Sequence, residues 1–150
     1  MTDELKARAL RLLARREHTR AELARKLAAD AQSTTVLEAL LDQLQAKKQV
    51  SDERYAEARA HQLSRKFGAA RVRRELVSKG VDREAAARVA ADVEKTDLER
   101  ARSILERKYR APAVAREERV RRARFLQSRG FSGDVIRQAL DAREASEELP

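Results

Sequence analysis

The stretch FGAARVRRELVSKGV, residues 67–81, decides the fold class of this chain. Val72 and Leu76 are four residues apart, which is the spacing of one face of an α-helix, and the residues around them are mostly basic. Gly68 interrupts any helix that precedes the stretch, and Gly80 suits a left-handed cap at its end. The stretch therefore predicts one short helix with a narrow buried stripe and a basic outer face.

The same helical spacing continues in both directions along the chain. No segment alternates apolar and polar residues, and the chain has only 4 glycines and 2 prolines, so strands have no support. Short polar residues stand where helices should begin, and Ala111-Pro112 interrupts the seventh helix. The pattern predicts nine helices, with N-caps at Ser51, Asp82 and Ser132 and capping boxes at Thr19/Glu22 and Thr96/Glu99.

The nine helices fall into three groups that resemble one another. ELVSKGVDREAA from Glu75 and FLQSRGFSGDVI from Phe125 share Leu-x-Ser-basic-Gly-apolar-polar, and Leu27 lies 49 residues before Leu76. A period near 50 residues is typical of helical repeats that stack on their neighbours. We therefore predict an all-α protein of three tandem three-helix repeats forming an elongated, curved array. The predicted divisions are residues 1–50, 51–95 and 96–143, followed by an acidic flexible tail, 144–150.

Charge is the strongest compositional signal. Lys and Arg total 34 against 25 Asp and Glu, which gives a formal net charge of +9. A positive field of this size attracts nucleic acid or an acidic protein surface. The chain has no cysteine, the acidic start at Asp3 and Glu4 is unlike a signal peptide, and its apolar stretches are too short to cross a membrane. These features predict a cytoplasmic protein.

Motifs for catalysis and metal binding are absent from the sequence. It has no phosphate-binding loop, dinucleotide-binding turn or nucleophile elbow. Its two histidines, His18 and His61, are far apart and lie in no metal-binding motif, so both are expected to be surface or helix-turn residues. We expect neither enzymatic activity nor a cofactor or metal.

Four segments carry a resemblance to a known family. ALRLLARREHTRAELARKL from Ala9, SDERYAEARA from Ser51, GAARVRRELVSKGV from Gly68 and FLQSRGFSGDVIRQAL from Phe125 resemble the RecX regulatory family of bacteria. The resemblance covers residues 5–140. It implies three tandem three-helix repeats and a protein that binds the RecA recombinase and its DNA filament in the helical groove. It also implies inhibition of recombinase, ATPase and co-protease activities by a protein that carries out no chemistry itself. We expect that protein to be a monomer.

Candidate contact residues follow from the outward helix faces. In the fifth helix Val72 and Leu76 fix the inner face, and in the eighth Val120, Ala123 and Leu126 are expected to do so. Basic residues outside these stripes, or at the ends of these helices, are predicted to contact an acidic RecA surface or filament DNA. They are Arg71, Arg74, Lys79, Arg121, Arg124 and Arg129.

A second function class fits the same basic faces. A helical DNA-binding protein would place its basic helices directly on nucleic acid, independently of RecA. The chain has no asparagine, which favours phosphate contact over detailed base reading. Binding to free DNA, measured across salt concentrations, distinguishes this alternative, since phosphate contacts weaken steeply with salt.

Overall fold

The computed structural model describes residues 2–111 and 115–148. Within these ranges the chain forms nine α-helices and one 3-10 helix, and no strand, as predicted. The α-helices are α1 Thr2–Arg15, α2 Arg20–Leu27, α3 Thr34–Ala46, α4 Asp52–Leu63, α5 Ala69–Ser78, α6 Arg83–Glu94, α7 Asp97–Lys108, α8 Arg116–Ser128 and α9 Gly133–Glu148; the 3-10 helix is Ala28–Asp30.

Most of the predicted helix starts are confirmed by hydrogen bonds. Ser51 Oγ accepts from the Arg54 N–H at 3.2 Å, and Asp82 and Ser132 accept at 3.3 Å from the N–H groups three residues later. At Thr19 the hydroxyl accepts from the Glu22 N–H at 3.0 Å. The capping box predicted at Thr96 is wrong, because this side chain makes no capping bond to α7.

The repeated Leu-x-Ser-basic-Gly-apolar signature is a helix-ending motif. Gly80 and Gly130 have φ of +93° and +94°, in the left-handed region. After α5 the Val81 N–H donates to the Leu76 carbonyl at 3.0 Å, and after α8 the Phe131 N–H donates to the Leu126 carbonyl at 3.2 Å. These bonds form Schellman motifs, in which the leucine and the apolar residue after glycine are buried together. The repeat therefore has a local physical cause.

The chain divides into two compact units, residues 1–59 with 76–86 and residues 60–75 with 87–150. Each contains a tightly packed apolar core. The predicted repeat leucines Leu27, Leu76 and Leu126 are all fully buried. The first core consists of Leu5, Ala9, Leu23, Leu27, Leu37, Leu40, Leu41, Leu44 and Val50, and the second unit's of Ala101, Leu105, Leu126, Phe131, Ile136, Ala139 and Leu140.

Some expectations about the fold stay predictions. They are the divisions at residues 1–50, 51–95 and 96–143, the elongated, curved arrangement, and the flexibility of the acidic tail, where α9 includes residues 144–148 in its helix. α7 ends at Lys108, before the predicted Ala111-Pro112 interruption, and Pro112 lies outside the described residues.

Carboxylates at the starts of α4 and α7 cap the helices of the preceding repeat. In the first unit Asp52 accepts from the Arg20 N–H, the first of α2, at 2.8 Å. In the second unit Asp97 accepts from the Ala69 N–H, the first of α5, at 3.1 Å. A free N–H at a helix start needs an acceptor, and here the acceptor is remote in sequence. Asp97 is 3% exposed and also pairs with Arg100.

His18 is buried, at 1% exposure, so the expectation of a surface residue is wrong, although it does lie in the turn before α2. Its Nδ1 is 3.0 Å from the Arg16 carbonyl and its Nε2 is 3.0 Å from Lys26 Nζ. A carbonyl only accepts and an ammonium only donates, so Nδ1 carries the proton of a neutral ring. Burial lowers the pKa of His18, which agrees with that assignment.

Glu22 of α2 is expected to make the stability of the first unit sensitive to acid. Its hydrogen bonds to Arg16 hold the pKa of Glu22 at about 2, below its ordinary 4.5. A carboxyl group whose pKa is lower in the folded than in the unfolded protein stabilises the fold at pH values above its unfolded pKa. That stabilisation is lost as the pH falls toward its folded pKa. Glu22→Gln should therefore lower the free energy of unfolding at pH 7 on the order of 1 kcal/mol, since Arg16 is half exposed to solvent.

Urea unfolding measured between pH 7 and pH 2 checks this expectation. The difference between wild type and Glu22→Gln should shrink as pH falls below 4.5 toward 2. Glu57→Gln, at an exposed position on α4, is the matched control and should show little difference throughout. A pH-independent effect of Glu22→Gln would contradict the electrostatic origin.

Candidate partner and nucleic-acid interface

The outer face of α5 presents Arg71 and Arg74 differently. Arg74 is exposed and has no ion-pair partner within the described ranges. Arg71 is half-buried, with its Nε 3.5 Å from Glu75 and its guanidinium carbon 4.6 Å from the centre of the Phe67 ring. Arg74 is therefore free to bind an anion, whereas Arg71 must first give up its contacts with Glu75 and Phe67.

Lys79 follows α5 and belongs to the first unit. Its side chain is exposed. Its backbone carbonyl accepts a hydrogen bond from Thr19 Oγ1 at 3.1 Å. The backbone at this position is thus fixed by packing, while the ammonium faces solvent.

On α8 the predicted outward pair is confirmed as exposed. Arg121 is 72% exposed and donates from Nη1 to Glu118 at 2.9 Å, one turn earlier. Arg124 is exposed, and no carboxylate in the described part of the chain pairs with it. Surface pairs within a helix are weak, so both guanidinium groups remain available to a partner.

The inner face predicted for α8 is wrong at Val120, which is 42% exposed. Arg122 is buried in its place, at 6% exposure. Its guanidinium carbon lies 4.3 Å from the centre of the Tyr109 ring, and its Nε donates to Glu118 at 3.2 Å. An aromatic face and a carboxylate together compensate for the burial of this charge, which apolar periodicity cannot anticipate.

Arg129 joins two aromatic rings in the second unit. Its guanidinium carbon lies 5.5 Å from the centre of Phe67 and 5.1 Å from the centre of Phe125. Because Arg71 also lies over Phe67, the structure brings these two predicted residues together. Lys108, which the sequence did not suggest, adds its ammonium 3.9 Å from the centre of Phe125. We call Arg71, Phe67, Arg129, Phe125 and Lys108 the cation–aromatic cluster.

Further basic residues missed by the sequence analysis lie beside this cluster. Arg65 and Lys66 follow α4, and Arg107 precedes Lys108 in α7; together with Arg129 they line one cavity. A signal for them was present, because two of the few aromatic residues directly follow basic pairs, in Arg65-Lys66-Phe67 and Arg107-Lys108-Tyr109. Interleaved cations and aromatics are a mark of nucleic-acid-binding surfaces.

Within residues 2–111 and 115–148, no cluster of His, Cys, Asp or Glu has the composition to hold a metal ion. Over the same ranges, no helix combines the length and apolar character needed to span a bilayer.

Comparison with known proteins identifies the family. Models of the first, second and third three-helix domains of RecX match residues 6–44, 51–89 and 95–140. The chain belongs to the RecX family. The regulatory protein RecX of Leptothrix cholodnii is 47% identical over 91% of this chain and 87% of its own length. That of Herbaspirillum seropedicae is 43% identical over 97% and 95%.

Solved RecX structures have the same fold. The crystal structure of RecX from Lactobacillus salivarius superimposes with a TM-score of 0.85 at 19% identity, covering 96% of this chain and 97% of that one. A second crystal structure, of a regulatory protein RecX, gives 0.75 at 21% identity and covers 93% and 73%. The all-α fold of three tandem three-helix domains is thereby confirmed.

Proposed function

We propose that this RecX-family protein is a non-enzymatic cytoplasmic regulator that acts on RecA as a monomer. It binds RecA and the RecA–DNA filament in the helical groove and inhibits recombinase, ATPase and co-protease activities. The match of all three domains to the RecX models supports this function.

The contact surface in this proposal consists of the six predicted residues, with Arg74 and Arg124 as its most accessible members. Exposed cations that lack an internal acid partner lose little on binding an acidic surface or a phosphate, because no existing ion pair must break. Arg71, Arg121 and Arg129 contribute after exchanging their internal partners, and Lys79 adds a charge in the first unit.

A charge reversal tests this surface. Arg74→Glu/Arg124→Glu should raise the protein concentration needed for half-inhibition of the RecA ATPase by about tenfold, because attraction becomes repulsion at two contacts. Helicity should not change, since both side chains are exposed. The measurements are RecA ATPase and strand exchange with added protein, together with circular dichroism.

Arg25→Glu/Arg102→Glu is the matched control, with the same change in net charge at exposed positions on α2 and α7. It should change the protein concentration needed for half-inhibition by less than about threefold, because it acts only through the long-range electrostatic field. If Arg74→Glu/Arg124→Glu inhibited RecA as fully as the wild type does, these two helix faces would not belong to the contact surface. Failure of the wild-type protein to inhibit RecA would overturn the regulatory function itself.

A further inference from the structure

The second unit contains an open cavity of about 380 Å³ whose described lining includes five cationic side chains and no carboxylate. The cations come from the turn after α4, the end of α7 and the residue after α8. In the part of the chain that the structure describes, none of the five forms an ion pair with a carboxylate. An anion that enters the cavity is therefore attracted by all five at once. The cationic residues are Arg65, Lys66, Arg107, Lys108 and Arg129.

The ring of Phe125 positions two of these cations. Lys108 Nζ is 3.9 Å and the Arg129 guanidinium carbon 5.1 Å from its centre, and the Tyr109 ring packs nearly perpendicular to it at 6.3 Å between centres. The face of an aromatic ring attracts cations and limits their motion. Cations that are already held in place lose less conformational entropy when a ligand binds. Because these contacts engage the ring, it is not open for stacking a nucleobase.

The size of the cavity favours a compact anion. Its volume of 380 Å³ is that of a sphere about 9 Å across and lies in the range of sites for small molecules. The ligand that gains most from five converging cations carries several negative charges within that distance. Phosphates joined by bridging oxygens meet this requirement, because neighbouring phosphates share one oxygen atom and each of them is charged.

The hydrogen-bonding character of the lining side chains favours phosphate over other anionic groups. Ammonium and guanidinium groups donate and never accept, and Ile104 and Phe125 offer only hydrocarbon. A nucleobase or a peptide brings N–H donors, which these side chains cannot satisfy. An ionised phosphate chain carries only acceptors. Its tetrahedral phosphates also point oxygens in several directions, toward cations from three segments, whereas a carboxylate has two oxygens in one plane.

We propose that this cavity binds the oxygen-bridged phosphate chain of a small free polyphosphate, either inorganic or carried by a nucleoside triphosphate. The phosphate chain enters the cavity, and the base and sugar of a nucleotide stay outside. This inference goes beyond the regulation of RecA, because binding requires only the small anion and this chain.

Isothermal titration calorimetry of the isolated protein with sodium tripolyphosphate tests the site. Divalent cations are left out of the buffer, because they would bind the phosphate oxygens themselves. We expect saturable binding of one tripolyphosphate per chain. Sulfate and citrate, compared at equal ionic strength, should bind much more weakly. If they bind as tightly as tripolyphosphate, general attraction to a positive protein accounts for the binding and the proposal is wrong.

Lys66→Gln/Arg107→Gln removes two exposed cavity cations and keeps both cations that contact the Phe125 ring. Its affinity for tripolyphosphate should fall about tenfold, because two of the five attractions are lost. Arg25→Gln/Lys47→Gln is the matched control, with the same pair of residue types at exposed positions in the first unit.

The control should weaken binding by less than about twofold, because it changes only the net charge. Circular dichroism establishes that both variants are folded. Equal affinities of the cavity variant and the wild type for tripolyphosphate would eliminate the site.

Nucleotides distinguish the two sources of the phosphate chain. If ATP and GTP bind no more tightly than tripolyphosphate, the cavity takes the chain from either source, and if they bind clearly more tightly, the nucleotide is the ligand. AMP has a single phosphate and should bind weakly. AMP that binds as tightly as ATP would show that the base and sugar are recognised, against the assignment to a phosphate chain. None of these measurements contains RecA, so a failure here is distinct from a failure of the regulatory function.

Discussion

Gly130→Ala is expected to lower the free energy of unfolding by about 3 kcal/mol or more. The residue has φ of +94°, which an alanine adopts only at a cost of about 1–2 kcal/mol. An added Cβ would also lie 2.4 Å from Arg71 Cβ and 2.6 Å from the Arg71 nitrogen. Backbone cannot move aside as a flexible side chain does, so overpacking adds about 1–3 kcal/mol.

Urea unfolding of three glycine variants measures this effect against internal controls. Gly80→Ala has the same strained φ, but its Cβ would meet the Ala21 methyl at 2.9 Å and no backbone atom closer than 4.0 Å, so its cost should be smaller. Gly133→Ala, on the first turn of α9, meets nothing within 4 Å and should be neutral or slightly stabilising. The prediction fails if Gly130→Ala unfolds at the same urea concentration as Gly133→Ala.

Asp97→Ala is expected to cost about 3–5 kcal/mol, the range for removing one partner of a buried ion pair. Asp97 accepts from the Ala69 N–H and pairs with Arg100, whose guanidinium also donates at 2.6 Å to the carbonyls of Ser64 and Phe67. Burial raises the pKa of Asp97 and lowers that of Arg100, so both charges depend on each other. Alanine leaves Arg100 unpaired and the first N–H of α5 without its acceptor.

The comparison with Asp52→Ala isolates the contribution of the buried charge. Asp52 caps α2 in the same way and also accepts from the Asp82 N–H at 3.1 Å, but it is only partly buried and no arginine pairs with it in the described ranges. Its loss should cost about 0.5–2 kcal/mol, as for an ordinary N-cap. Asp97→Asn, which retains an acceptor oxygen, should fall between the two. Equal urea midpoints for Asp97→Ala and Asp52→Ala would show that the ion pair contributes nothing.

The Asp97–Arg100 pair also explains why one predicted cap is absent. Thr96 Oγ1 accepts from Arg100 Nε at 3.2 Å and donates to the Val93 carbonyl at 3.2 Å. The threonine is thus engaged by a residue one turn ahead and by the preceding helix. A capping box in sequence predicts the capping bond only where no other neighbouring group competes for the hydroxyl.

The solvent exposure predicted for three of the outward residues is confirmed. Arg74, Arg121 and Arg124 are exposed because the apolar stripes of α5 and α8 leave them on the opposite side. The pairing of Arg71 with Arg129 through Phe67 could not be predicted, since Arg129 follows α8, far in sequence from the stretch that contains Phe67 and Arg71. Whether the six residues contact RecA stays a prediction.

The sequence by itself determined the helices, most of their caps and the repeated helix ends. Each depends on contacts within about six residues, as in the bonds that Gly80 and Gly130 permit after α5 and α8. Only the tertiary structure decided that Arg122 is buried instead of Val120 and that five cations surround one cavity. Burial of the Arg122 charge depends on the ring of Tyr109, which lies outside α8, as well as on Glu118 one turn earlier, and the apolar periodicity of α8 contains no information about that ring.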